Sequence, residues 1–337
     1  MQYEYYRKGF SRIEREVYRA IENGLDKHEP YVSFELISTE QLNKIVKAVE
    51  YDHPELYFWD NRKIQTKIKA GHMALKLDYY WSKAEIEKNA PKIEKGIRAI
   101  LGKCDGGYDT EYDRFLSIYS CMARNLRYDH EHFNSTETSD MAFAHTILGV
   151  FAKQSAVCDG ISKAFKLVLE RSGIDCIVVQ GEKKDNTGIS SAHAWNIVYI
   201  GDSQTFHVDL TWALENSGVG KVNYDYVGLT DAQIQKDHLL KNLMDVPKCD
   251  NEEFDYYVRN KAVVRSVEEL QRYLQIHAYT KPFEINVRLD FTCNIKEMAQ
   301  KASDYVVKHF VIAGGCVDIK VNSQYREGQN ILIMTGR

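Results

Sequence analysis

Cys158, His193 and Asp209 have the residue types of a nucleophile, a base and a base-orienter, and each lies in a local context that suits that role. Cys158 lies in Ala156-Val157-Cys158-Asp159-Gly160-Ile161-Ser162, where a loop is expected to turn into a helix. A thiol there meets the positive end of the helix macrodipole and several unpaired N–H groups. Both favour thiolate, the reactive form, and the Cys158 N–H is free to help bind an oxyanion. The plainer alternative is a buried structural thiol, which is how Cys104, Cys121, Cys176, Cys249, Cys293 and Cys316 are read. His193 lies in Ser191-Ala192-His193-Ala194-Trp195-Asn196-Ile197-Val198, a strand pattern after a polar, glycine-bearing loop at 182–190 that is expected to gate a cleft. Asp209 lies in Phe206-His207-Val208-Asp209-Leu210-Thr211-Trp212, read as the next strand, over 204–211.

The spacing ties the last two together. With Gly201-Asp202-Ser203 as a three-residue hairpin loop, Ile200 pairs with Gln204, Trp195 with Asp209 and His193 with Thr211. His193 and Asp209 are then diagonal neighbours on one face; a loop of even length would put them on opposite faces. Asp209 would hold the imidazole tautomer, with Asn196 as the rival orienter. Gln154, four residues before Cys158, could offer a second oxyanion donor, and His145, Tyr128, Trp195 and Trp212 could line the pocket. His130-Glu131-His132 is read as a polar loop, and no metal or cofactor is expected.

Around these residues the periodicities predict an α+β chain. Residues 1–62 read as mostly helical, with Ser38 and Gln41 forming a capping box for a helix that carries Leu42, Ile45, Val46 and Val49 on one face and ends at Asp52-His53-Pro54. Residues 63–81 alternate with period two as a hairpin turning at Lys69-Ala70-Gly71-His72. Ser82 and Glu85 cap a helix to about Gly102, 110–128 is a third helix, 131–140 a polar loop and 141–152 a short apolar helix. Ile161, Phe165, Val168 and Leu169 give the Cys158 helix a buried stripe that Gly173 ends. A strand follows over 174–181, and another is expected over 224–227. Beyond Asp250-Asn251-Glu252-Glu253 a β-α-β-β order is expected, with strands at 283–290, 317–321 and 331–334 and a helix at 295–310.

A length of 337 residues with 44% hydrophobic side chains suits two or three domains with real cores. A net charge of −4 and no Lys/Arg-rich run argue against a nucleic-acid partner. Twenty-two tyrosines imply broad amphipathic packing surfaces or a peptide groove. Seven irregularly spaced cysteines with no Cys-x-x-Cys speak against a zinc ribbon. Neither an apolar signal region nor a membrane-spanning run is visible, so a reducing, cytoplasmic setting without a membrane partner is expected.

The run from Val157-Cys158-Asp159-Gly160 through Gly173-Ile174 and His193-Ala194-Trp195-Asn196 to Val208-Asp209-Leu210-Thr211-Trp212 resembles the core of the transglutaminase-like superfamily, and Leu126-Arg127-Tyr128-Asp129 resembles its upstream segment. The resemblance covers roughly 110–240. It implies a papain-like core in which the Cys helix packs on an antiparallel sheet carrying His and Asp. It also implies acyl transfer through a thioester to water or to an amine. Absent calcium and Cys-x-x-Cys signatures, the chain looks more like bacterial transglutaminase-like cysteine peptidases than cross-linking enzymes or peptide N-glycanases. The expected organisation is an N-terminal accessory region at 1–109, a catalytic core at 110–250 and a small α+β domain at 260–337. The expected function is a cysteine hydrolase of peptide or amide bonds with a protein or peptide substrate. The alternatives are a protein-glutamine transamidase (cross-linking or deamidation) and a non-catalytic binding protein on the same fold.

Overall fold

A computed structural model describes residues 3–104, 106–184, 190–201, 203–215, 222–278, 283–314, 321–326 and 328–336. Asp202, Cys316, most of the expected gating loop (185–189) and residues 317–320 of an expected strand lie outside the described residues.

The N-terminal part contains α1 (Tyr5–Lys8), α2 (Arg12–Lys27), β1 (Tyr31–Glu35) and α3 (Thr39–Asp52). Ser11 and Ser38 each accept the N–H three residues on, while Glu14 and Gln41 return to the cap N–H, so both long helices open with a full capping box. β2 (Trp59–Asp60), β3 (Thr66–Lys69), β4 (His72–Lys76) and β5 (Asp78–Tyr79) follow. β3 and β4 form the expected hairpin, turning through Ala70 and Gly71, both at positive φ as a tight hairpin turn demands. Sequence reading took 1–62 as mostly helical and missed β1, which pairs with β4 from Tyr31–Lys76 to Glu35–His72. Only that partner, some forty residues away, gives the alternating Val32 and Phe34 a sheet to join.

The middle of the chain runs α4 (Lys83–Lys103), α5 (Glu111–Asn125), β6 (Arg127–Tyr128), α6 (Thr138–Ala144), a π-helical turn (Gly149–Lys153), β7 (Ser155–Ala156), α7 (Cys158–Arg171), β8 (Cys176–Lys184), β9 (Ser190–Ile200), β10 (Gln204–Val208), α8 (Leu210–Glu215), β11 (Val227–Leu229), α9 (Asp231–Ile234) and β12 (His238–Leu240). The single helix expected over 141–152 is instead broken. Thr146 donates its hydroxyl to Ala142 O at 2.7 Å and accepts the Leu148 N–H, closing α6 before a second turn starts. The third strand comes slightly later than expected, at Val227–Leu229 rather than 224–227. The central sheet is antiparallel in the order β11-β10-β9-β8-β12. α7 packs on it through Ile161, Phe165, Val168 and Leu169, all fully buried, and Gly173 ends the helix at φ +86°.

The N-terminal helices do not stand apart from this core. One hydrophobic cluster runs from Tyr6 to Phe254, and the Tyr6 hydroxyl donates to Val178 O of β8 at 2.5 Å. α10 (Tyr256–Arg259), β13 (Val263–Val264), α11 (Val267–His277), β14 (Phe283–Leu289), α12 (Ile295–Gly314), β15 (Val321–Arg326) and β16 (Ile331–Gly336) complete the chain. They enclose a second cluster from Val264 to Met334. We propose a unit boundary between the two clusters, near 250–262. Asp255, fully buried, rivets it: it caps α10, accepts from Gln233 and pairs with Arg288 of β14. No helix among the described residues is long and apolar enough to cross a membrane.

Removing one partner of a buried ion pair strands the other, so Asp255→Ala is expected to cost about 3–5 kcal/mol. A urea unfolding curve measures this, and an unchanged midpoint would refute the rivet.

Candidate active site

Val157 precedes α7 in an extended conformation and supplies no side-chain cap; the Gly160 N–H turns to Asp159 Oδ1 at 3.0 Å, while the Cys158 N–H has no partner within the helix. Its own N–H donates to Ala144 O at 2.9 Å, which seats the helix start against the end of α6. Gly160 makes that seat possible: a Cβ there would come 2.7 Å from Ala144 O and 3.0 Å from Thr146 O. Asp159 receives His145 Nδ1–H at 3.0 Å and faces Lys163 Nζ at 3.6 Å. Lys163 in turn pairs with Glu50 of α3 at 2.5 Å, and Lys47 pairs with the other Glu50 oxygen at 2.6 Å. Burial alone would raise the Glu50 carboxyl, but these two ammonium groups hold it well below its usual range. A polar cavity of about 320 Å³ opens beside this network, bordered by Lys47, Glu50, Tyr80, His145, Asp159 and Lys163.

Cys158 is 8% exposed. Burial pushes its thiol up to about 12, helped by the charge of Asp159 and opposed by the Ala194 N–H beside the sulfur. This works against the thiolate expected from the helix terminus alone.

β9 and β10 pair in the expected register, from Ile200–Gln204 to Asn196–Val208. The register then stops. β10 ends at Val208, Asp209 stands outside the strand, and Thr211 lies in α8, so the expected His193–Thr211 pair does not form. Asp209 is where it is because it caps a helix: Oδ1 accepts the Trp212 N–H at 3.2 Å, three residues on. Its own N–H donates to Tyr226 O at 3.0 Å. Oδ2 accepts His193 Nε2–H at 2.7 Å, so the two expected residues do meet, by a different route. Burial would raise Asp209, yet the two imidazoles against it, those of His193 and His238, hold it well below the carboxylate range. Burial lowers His193 despite the pull of Asp209. His193 Nδ1 is buried with no hydrogen-bond partner; the expected bond between it and Cys158 Sγ is not formed in this structure. Catalytic hydrogen bonds commonly tighten only around substrate.

The other sequence candidates divide. Trp195 is buried, its ring 6.0 Å from that of His193, with Nε1–H donated to His207 Nδ1 at 3.0 Å. Trp212 packs 6.4 Å from His193 on another side. Asn196 does not orient His193. One residue on from Trp195 it points to the opposite sheet face, where Nδ2 donates to Ser162 O at 3.0 Å and Ile177 O at 3.2 Å, stitching α7 to the sheet. His145 acts through Asp159. Tyr128 stacks edge-on with His130 at 4.8 Å and has Lys183 over its ring. Gln154 is exposed at φ +55°, closing the π-helical turn. His238, which sequence reading missed, is fully buried against Asp209 Oδ2 at 3.1 Å. Its only local trace is a histidine opening the short apolar run His238-Leu239-Leu240.

Three groups of side chains bring together atoms that could ligate a metal. In the first, His193 and Asp209 are 2.7 Å apart, a hydrogen-bond length; two atoms sharing a tetrahedral zinc stand about 3.3 Å apart. In the second, His207 spends one nitrogen on Trp195 and the other on Asp231. In the third, Glu4, Glu22 and His53, Arg7 already pairs with Glu4 and supplies the cation.

Residues 98–210, which contain all three catalytic candidates, match the model of the transglutaminase-like superfamily. This segment is transglutaminase-like. The match covers a third of the chain, and the fold around it is mixed helix and sheet, as expected. Similar solved structures include a TGase at 16% identity (56% of this chain, 52% of that one, TM-score 0.32). A proposed cysteine protease from Cytophaga hutchinsonii follows at 13% (44% and 61%, TM-score 0.28), and a proposed protease from Parabacteroides distasonis at 9% (82% and 61%, TM-score 0.25). The chain thus spans half to three fifths of their lengths. No curated protein matches.

Gly160→Ala pushes a methyl into the backbone beneath the transglutaminase-like nucleophile helix. It is expected to cost roughly 1–3 kcal/mol and to shift Cys158. Urea unfolding together with iodoacetamide labelling of Cys158 reads both effects, and a variant matching wild type in each would show that the seat is slack.

Proposed function

We propose that this chain is a cysteine-nucleophile hydrolase that cleaves peptide or amide bonds of protein or peptide substrates through a thioester at Cys158. The observation that carries the reading is the 2.7 Å hydrogen bond from His193 Nε2–H to Asp209 Oδ2. It leaves the imidazole lone pair on Nδ1, the nitrogen with no partner, in the residue next to the Ala194 N–H that meets the Cys158 sulfur.

In this reading Nδ1 takes the thiol proton as sulfur attacks the substrate carbonyl. The oxyanion develops against the Cys158 N–H, and the imidazolium returns its proton to the leaving amine. Water then attacks the thioester by the same route in reverse. Burial raises the thiol and lowers the imidazole, so the resting pair is neutral and the proton moves during attack rather than before it. The polar cavity beside Asp159 suits a polar or charged substrate side chain.

The reading yields a pH profile. Activity requires neutral His193, whose pKa lies below the ordinary 6.5. The rate constant kcat/KM on an amide substrate should therefore rise through one ionisation below that value and stay flat across neutral pH, because the thiol ionises only near 12. A bell centred near neutrality would instead mark a preformed thiolate–imidazolium pair. Cys158→Ala and His193→Ala should each abolish turnover, while Asp209→Ala retains a residue of it. Full activity in folded Cys158→Ala would end this proposal.

A further inference from the structure

Resting on the hydrolase reading, we infer that His238 is a positioning residue of the Cys158 site: an imidazolium clamped between Asp237 and Asp209 that fixes the Asp209 carboxylate and opposes a second positive charge on His193.

The geometry is a chain of buried hydrogen bonds. The Tyr226 hydroxyl donates to Asp237 Oδ2 at 2.5 Å. His238 Nδ1 lies 2.7 Å from Asp237 Oδ1, and its Nε2 lies 3.1 Å from Asp209 Oδ2. Both ring nitrogens therefore face carboxylate oxygens. A neutral imidazole has one N–H to offer; only the imidazolium satisfies two acceptors. Trp195, Trp212 and Tyr226 pack their rings within 5.5 Å of its own, and the imidazole is fully buried among them. Burial disfavours the charge, but the two carboxylates outweigh it and raise the group above its ordinary value.

The consequence falls on His193, whose ring centroid is 5.3 Å away. Both imidazoles share Oδ2 of one carboxylate. With His238 charged, Asp209 is already compensated and a proton on His193 meets a cation at close range. The other groups facing this pair act alongside it. Lys183, opposite His238 across β8, is a further cation. His207 on β10 is neutral by its bonds, accepting from Trp195 and donating to Asp231. The backbone is arranged to admit the clamp: a Cβ on Gly181 would come 2.1 Å from Leu239 O, so β12 docks beside His193 only because position 181 has no side chain.

Two measurements test the clamp. Ring-nitrogen NMR of the uniformly ¹⁵N-histidine-labelled wild type, assigned with His238→Gln, should show both nitrogens of His238 protonated at neutral pH; a single protonated nitrogen there overturns the proposal. The second is the pH dependence of Cys158 alkylation by iodoacetamide in His238→Gln, with folding checked by circular dichroism. Glutamine can still donate to Asp209 but carries no charge. The acid limb, where His193 takes up its proton, should move up by about one pH unit, since removing a like charge at this range shifts a group by that order. An unmoved limb in the folded variant means that His238 is only packing, and overturns the proposal. Failure of the hydrolase reading looks different: wild-type Cys158 then has no acid limb at all, while the ring-nitrogen signature stands.

Discussion

Asp209 carries a full negative charge while fully buried, and the arrangement around the candidate site follows from answering it. A buried carboxylate is tolerated only when its lone pairs are taken up. Here Oδ1 takes the Trp212 N–H at the start of α8, and Oδ2 takes two imidazoles. One residue thereby ends a strand, starts a helix, sets the His193 tautomer and draws β12 to the edge of the sheet. A strand that simply continued through position 209, as its neighbours Val208 and Leu210 suggest, would have left no N–H for Oδ1.

The Cys158 side is built on the opposite principle. Cys158 is backed by an alternating network of Asp159, Lys163, Glu50 and Lys47 in which every charge has an opposite neighbour. Such networks add little net stability against an apolar packing of the same volume, but breaking one member is costly. They fix direction: Lys163 and Asp159 project from the first turns of α7, so the helix can neither rotate nor slide without separating charges.

Local signals carried the sequence reading a long way. The Ser38–Gln41 box, the Gly173 stop and the β9–β10 register are each written within a few residues, and each is where the sequence put it. Cys158 at a helix start and His193 in a strand needed no more than that. What escaped depends on distant partners. β1 needs β4. Asp209 as a helix cap was written locally, in the three-residue step to Trp212, but strand periodicity hid it. His238 left only a faint local sign, because its meaning comes largely from Asp209, Trp195, Trp212 and Tyr226, all distant from it in sequence. Gln154 shows the converse: closeness to Cys158 in sequence did not bring its exposed side chain to the site.

The ion pair between Lys163 and Glu50 bears on how portable this chemistry is. The matched segment, 98–210, begins well after α3, yet besides Asp159 Lys163 meets the Glu50 carboxylate, which comes from α3. Tyr6 and Tyr51 likewise reach across to Val178 and Gln180. An excised 98–210 fragment would keep every candidate catalytic side chain and lose the counter-charge behind its nucleophile. The candidate catalytic unit is therefore larger than its signature, and grafting the signature alone onto another scaffold would transplant the candidate side chains without the frame that aims them.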